Sequence, residues 1–322
     1  MLHNVCTILG QDFEIIVVND GSNEKYSSLV DELTACDSRI KVLNQDNRGV
    51  SAARNAGVAI ATGQFVMFVD ADDEIAAGAL REAVDAQSES AADFTIGAAE
   101  RTHLYDGEAT QEGPALSVLS AEEIRMLRGH LIGGDLYWFQ HGGFLGRGPW
   151  SRLLRSDIAK RVAFDERLVQ GEDVVWNLQV LEHCETVCLV DSVWYLYYFN
   201  PHSITHRYNF QIYDDICYEM QCIKSVLDLT LDNEFRVFCD KCLDEVKKIS
   251  IYVMYHPNST LTKTERLLLE ENVYTDTLWY NDICSKRYEE IANWKYRIKR
   301  QLFMSRTLIT FSYIYNSLVN LI

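Results

Sequence analysis

Positive charge is scarce in this chain. Its 322 residues hold 30 Lys and Arg against 47 Asp and Glu, a formal net charge of −17. Phosphate backbones are held by basic patches and steered by positive fields, so a nucleic-acid partner is excluded. Any phosphate in its chemistry needs local neutralisation, by a metal or a few placed arginines. No internal repeat and no low-complexity tract is present, and no GxGxxG follows a strand, which removes a dinucleotide fingerprint. No basic segment followed by an apolar run opens the chain, so no export signal is expected. Nine cysteines without such a leader are expected in a reducing, cytoplasmic compartment. Cys239 and Cys242 form a CxxC, yet a second pair and a nearby His are missing. They read as plain residues of a helix rather than zinc or redox ligands.

What is there falls into two compositional halves. Residues 11–100 alternate strand and helix patterns. FEIIVVN ends at the turn signal Asp20-Gly21-Ser22, and a short strand is expected over residues 40–43. The Ala-rich residues 51–61 predict a helix closing at Gly63, residues 64–69 a strand, 76–87 a helix and 93–98 another strand. Near-continuous apolar strands separated by helices predict an α/β fold, its sheet mostly parallel and covered on both faces. Ligands bind such sheets beyond the carboxyl ends of the strands, where Asp20 and Asp70 stand. Ser120 with Glu123 predicts a capping box. Gly142, Gly143, Gly146 and Gly148 mark a loop, either a plain surface loop or one that touches substrate. After Tyr208 the pattern changes to long helices, interrupted near Pro257.

The run FVMFVDADDE sets Asp70, Asp72, Asp73 and Glu74 at the end of an apolar strand. Mutually repelling carboxylates coexist there if a divalent cation sits among them. Mg²⁺ or Mn²⁺ takes oxygen ligands, commonly one or two carboxylates plus substrate phosphates. The alternative is a solvated acidic turn capping a helix that begins near Glu74. A DxDx[TV] phosphotransfer motif is excluded, because Glu74 stands where Thr or Val belongs.

EIIVVNDGS, NRGVSAARNAG, GQFVMFVDADD, FDERLVQGEDVVWN and LYYFNPHSIT follow one another in order. Together they resemble the inverting family 2 glycosyltransferases, whose nucleotide-diphospho-sugar transferase fold is called GT-A. The resemblance runs from about residue 2 to 205. It implies that Asp20 contacts the uracil base, that Asp70 lies near the ribose, and that Asp72, with Asp70, holds Mg²⁺ or Mn²⁺. Asp73 is left able to share either role. Arg54 is expected to pair with an Asp or a phosphate, or else to pack on its helix; Arg48 is a weaker candidate. Asp173, in the GED motif, matches the catalytic base, and Trp150 lies in the segment lining the acceptor side. Without the resemblance, Glu172-Asp173 would be an ordinary acidic pair at a helix N-terminus. The implied partners are a nucleoside-diphosphate sugar, of UDP type by the same resemblance, and a saccharide or lipid-linked saccharide acceptor of cell-surface polysaccharide synthesis.

Two domains are expected, a GT-A domain over residues 1–208 and a helical region over 209–322. Seven basic residues lie between Lys286 and Arg306 against Glu289 and Glu290, followed by the uncharged residues 307–322. Sixteen residues are short for a span, so residues 295–322 are expected on a membrane surface, at the inner face of the cell membrane, or packed on the core. The family's first strand, normally central between the EIIVV and FVMFV strands, has no counterpart. The chain is therefore expected to be an N-terminally shortened form, unstable and poor at binding sugar nucleotide. The competing function is a non-catalytic protein that keeps the fold.

Overall fold

The structure, a computed structural model, describes residues 13–22, 32, 37–102, 115–133, 143–198 and 211–319. The chain divides into two compact units, Met1–Leu127 with Leu136–Asn200, and Arg128–Asp135 with Pro201–Ile322.

In the first unit, β1 (Ile15–Asp20) and β2 (Ile40–Gln45) pair in parallel, with Ile15 beside Ile40 and Asp20 beside Gln45. Helix α1 (Val50–Ile60) follows, then β3 (Phe65–Val66), β4 (Glu74–Ile75) and α2 (Ala79–Ser90). The long strands β5 (Phe94–Arg101) and β8 (Val187–Tyr197) run parallel to each other. Between them in sequence come β6 (Ala115–Val118), α3 (Ala121–Ile132), β7 (Arg152–Arg155), α4 (Ser156–Ala159) and α5 (Glu172–Glu182). The larger sheet has the order β3-β7-β5-β8-β4, with β6 on β8. Ser120 and Glu123 form the expected reciprocal cap ahead of α3.

The sheet is mixed, not mostly parallel. β7 returns antiparallel between β3 and β5, and both β4 and β6 lie antiparallel on β8. An apolar run reports burial on both faces, not strand direction, and β3 is apolar beside an antiparallel neighbour. The strand expected over residues 64–69 pairs only at Phe65 and Val66 and then makes a single bridge from Phe68 to Trp150. Glu74 does not open a helix. It pairs with Leu196 in β4, and α2 starts at Ala79. Among the described residues β1 pairs with β2 alone, and β3 ends the strand order of the other sheet. The expectation of a missing first strand concerns residues outside those described.

The core of this unit gathers Ile75, Ala83, Leu153, Val190 and Trp194. Gly97 of β5 faces the Trp194 indole so closely that a β-carbon there would collide with the ring. At that point the register of β5 on β8 shifts.

The second unit is helical: α6 (Ile212–Val226), α7 (Asp232–Ile249) continuing into a π-helical turn (Ser250–Met254), α8 (Lys263–Thr275), α9 (Tyr280–Cys284), α10 (Lys286–Ile291), α11 (Trp294–Met304) and α12 (Leu308–Val319). Tyr288 and Tyr296 donate to Asp240 and Asp244, tying α10 and α11 to α7. Lys241, buried in α7, bridges Glu219 at 2.9 Å and Glu245 at 2.7 Å. Cys239 and Cys242 are fully buried thiols in α7, and burial pushes both above their ordinary pKa, as inert packing residues require.

Candidate active site

The N-terminus of α5 carries the GED residues. Gly171 precedes it with φ 74°, a left-handed conformation that glycine adopts without a β-carbon clash. Glu172 and Asp173 therefore occupy the first helical turn, where the helix dipole favours negative charge. The Asp173 carboxylate accepts its neighbour's amide, Val174 N–H, at 2.8 Å. Burial raises the proton affinity of Asp173, and Val174, Arg54 and Arg152 oppose that rise. Glu172 is pushed to about 7, first by burial and then by the negative charge of Asp173, against the pull of Arg54.

Arg54 joins the two acidic regions. From α1 it donates to Asp70 at 3.0 Å and to Glu172 at 3.1 Å, with its side chain only 12% exposed. Its guanidinium also lies 5.2 Å over the Phe164 ring. Phe164 in turn stacks on Trp176 of α5 at 4.7 Å. One residue further along α1, Asn55 donates to the Phe164 carbonyl at 2.9 Å and accepts from the Phe164 amide at 2.8 Å. The amide side chain thus pairs with the FDERL backbone as a strand would, and fixes the segment leading to the GED turn. Asn55 and Phe164 were absent from the sequence-derived candidates; the adjoining motifs held the signal, but their mutual contact crosses 109 residues.

The acidic strand end distributes its charges one by one. Asp70 faces Arg54, while Asp72 is exposed at the turn. Asp73 is buried and accepts from Tyr195 Oη at 2.7 Å and from the Tyr198 amide at 2.8 Å. Burial raises its proton affinity against those two bonds. Asp73 thereby braces the strand end from inside. Tyr195 Oη also accepts the Asp70 amide at 3.1 Å, so one phenol secures both ends of the turn. Among the described residues no three His, Cys, Asp or Glu side chains form a metal-holding group. The repulsion within FVMFVDADDE is relieved by Arg54 and Tyr195 rather than by three carboxylates around one ion. Asp70 and Asp72 remain, and two carboxylates with substrate phosphates are a donor set that suits Mg²⁺ or Mn²⁺.

Asp20, at the end of β1, spends both carboxylate oxygens on its own chain. It accepts from Gln45 Nε2 at 2.7 Å, the Arg48 amide at 2.9 Å and the Gly49 amide at 2.8 Å. Slight burial opposes ionisation, but these three bonds and the Arg48 charge outweigh it and hold the carboxyl below its ordinary range. Arg48 itself pairs with Glu166 at 2.7 Å on the surface.

The glycine segment is a packed loop. Trp150 stacks on the buried Tyr195 ring at 4.7 Å and 8°, and β-carbons at Gly146 or Gly148 would collide with its indole. Fully buried Arg152 donates to the carbonyls of Trp150 at 2.8 Å and Gly146 at 2.7 Å. Burial lowers its pKa to about 9, against the attraction of Asp173. Asn177 of α5 donates to the carbonyls of Arg147, Gly148 and Asp173. The loop carrying Trp150 is thereby bound to the helix carrying Asp173.

Residues 1–143, which include Asp20, Arg54, Asp70 and Asp72, match Glycosyl transferase family 2. Over that stretch the chain is similar to this family. The uncharacterized glycosyltransferase EpsJ of Bacillus subtilis is 29% identical over 199 residues, 60% of this chain and 55% of that protein. The glycosyltransferase GlyG of Streptococcus pneumoniae is 26% identical over 281 residues, 85% of each chain. The chain thus spans little more than half the length of some relatives and most of others. Its fold matches the crystal structure of Staphylococcus aureus TarS 1–349 in complex with UDP-GlcNAc, with a TM-score of 0.66, 16% identity, and coverage of 98% of this chain and 87% of that one. The fold is GT-A.

Proposed function

We propose that this chain transfers a sugar, with inversion, from a nucleoside-diphosphate sugar to a hydroxyl of a saccharide or lipid-linked saccharide. The reading includes UDP as the nucleotide and cell-surface polysaccharide as the product, made at the inner face of the cell membrane. One observation carries it: Arg54 brings together Asp70 of the strand end and Glu172 of the GED turn, the latter 118 residues from Arg54 in sequence. Support for the nucleotide comes from the fold shared with TarS, which was crystallised with UDP and with UDP-GlcNAc.

In this reading Asp173 takes the acceptor hydroxyl's proton as that oxygen bonds to the anomeric carbon and the bond to the leaving diphosphate breaks. Its raised proton affinity makes it a stronger base than an ordinary aspartate, while Arg54 and Arg152 keep it ionisable. A base on the face opposite the leaving group gives a single displacement through an oxocarbenium-like state, hence inversion. Asp70 and Asp72 would hold Mg²⁺ or Mn²⁺, which supplies charge neutralisation for the departing diphosphate. Asp20 holds the β1 end and residues 48–49 at the nucleotide side, and Trp150 offers an aromatic surface on the acceptor side.

The test is a screen of sugar nucleotides with Mg²⁺ or Mn²⁺, reading both donor binding and release of nucleoside diphosphate. Asp173→Asn should keep donor binding and lose about 10²–10⁴-fold in transfer. Near-normal turnover in that variant would move the base to Glu172. Undiminished turnover in excess chelator would remove the metal from the reading. A protein that binds donors and never turns them over would favour the fold-retaining, non-catalytic alternative.

A further inference from the structure

Helix α11 carries an outward apolar stripe that the core does not use. Trp294 is 76% exposed and Ile298 53% exposed, although Tyr296, Arg300 and Phe303 of the same helix are buried. Ile298, Gln301, Leu302 and Ser305 line a shallow groove with Arg297. The steps from Trp294 to Ile298, Gln301, Leu302 and Ser305 keep them on one side of the helix, opposite the buried residues. At 3.6 residues per turn, Lys295 lies about 100° to one side of Trp294 and Arg297 about 60° to the other.

The two cations are what remains of the basic tract after the fold has used the rest. Lys286 pairs with Glu290, Arg287 with Asp232, Lys299 with Asp244, Arg300 with Glu289 and Arg306 with Glu271. Among the described residues neither Lys295 nor Arg297 has a carboxylate at ion-pair distance. Both are exposed, and Arg297 anchors its guanidinium on the carbonyls of Ala292 and Glu290. An apolar stripe headed by Trp and flanked by cations is the surface that suits a bilayer interface.

We propose that the Trp294–Ile298 face of α11 docks on an anionic lipid surface. This deepens the peripheral location put forward above and narrows the expected residues 295–322 to the face of α11. The start of α12 is consumed by the core: Leu308 and Ile309 are buried, and the Ile309 carbonyl and amide are held by Ser250 and Tyr274. Charge selects lipid over a second copy of the chain, because a two-fold contact through this stripe would set Lys295 and Arg297 against their own copies. The chain's net charge of −17 opposes the approach only weakly, since charges beyond about 8 Å are screened at physiological salt.

The full chain is tested by co-flotation with vesicles of phosphatidylcholine, with and without phosphatidylglycerol. Binding is expected to the mixed vesicles and not to phosphatidylcholine alone, and quenching of tryptophan by acyl-brominated lipid should vanish in Trp294→Phe. Ile298→Ala should weaken partitioning about tenfold. Lys295→Gln and Arg297→Gln should each weaken it about fivefold. These side chains are exposed, so the variants should melt as the parent does. Flotation that the variants leave unchanged, or no flotation at all, would overturn the proposal. So would a doubling of solution mass that Ile298→Ala abolishes, which would assign the face to a second copy. None of these outcomes bears on donor turnover, so the sugar-transfer reading stands or falls separately.

Discussion

Glu172→Gln should make the protein more stable in alkaline than in acidic buffer, relative to the parent. Glu172 ordinarily titrates at 4.5 and is raised here to about 7, by burial first and by Asp173 second. Below 4.5 both folded and unfolded chains hold the proton. Between 4.5 and about 7 the folded chain retains a proton that the unfolded chain has lost, so stability falls as pH rises through this window. Above it both states are ionised and the full penalty is present. At about 1.4 kcal/mol per pH unit, the displacement corresponds to about 3 kcal/mol, shared with Asp173 because the two carboxylates titrate as a pair.

Gln has the same shape, keeps a carbonyl oxygen for Arg54, and never ionises. Thermal unfolding in chelator at about pH 5 and about pH 8 measures the effect, with about 2–4 °C expected per kcal/mol in a folding unit of this size. The variant should melt several degrees above the parent at the higher pH and close to it at the lower. Parallel curves for the two proteins across this range would show that Glu172 is ionised throughout. The account of Arg54 as the neutraliser of a proton-sharing pair would then be wrong.

Two further predictions concern the scaffold under the site. Gly148→Ala would drive a β-carbon into the Trp150 indole, which cannot retreat from the Tyr195 ring, so unfolding should be easier by about 1–3 kcal/mol; an unchanged melting temperature would mean that the loop has room to move. Tyr195→Phe deprives buried Asp73 of one of its two donors and the Asp70 amide of its acceptor, a loss of about 1–3 kcal/mol. It should also weaken metal-dependent donor binding, read as a higher KM, and a parent-like KM and melting temperature together would refute the coupling.

Local signals in the sequence were legible where the physics is local. The Ser120–Glu123 cap, the Ala-rich α1 and the strand FEIIVVN all depend on neighbours within a turn or two. Sheet direction was not legible, because it depends on β7, a four-residue strand between two arginines, returning antiparallel between β3 and β5. The candidate site divides in the same way. That Arg54 pairs with an Asp was one of the roles the sequence left open for it, whereas its second pair, with Glu172, was not legible. That Asp73 turns inward while Asp72 stays at the surface depends on Tyr195, 122 residues away. The glycines of residues 146–148 look like a flexible loop because composition says nothing of the indole they make room for.

The acidic strand end is therefore a division of labour among like charges. Asp73 is withdrawn into the protein and satisfied by a phenol and an amide. Asp70 is neutralised by a guanidinium that also restrains Glu172. Glu74 is taken up in the pairing with β8, leaving Asp72 exposed at the turn. A cation arriving with a diphosphate would meet a turn already braced by Tyr195, so little reorganisation would oppose its binding. The same Tyr195 ring supports Trp150, whose loop Arg152 and Asn177 fasten to the helix of Asp173. On the proposed reading donor side and acceptor side would share one aromatic support, which is why a change at Tyr195 is expected to reach both.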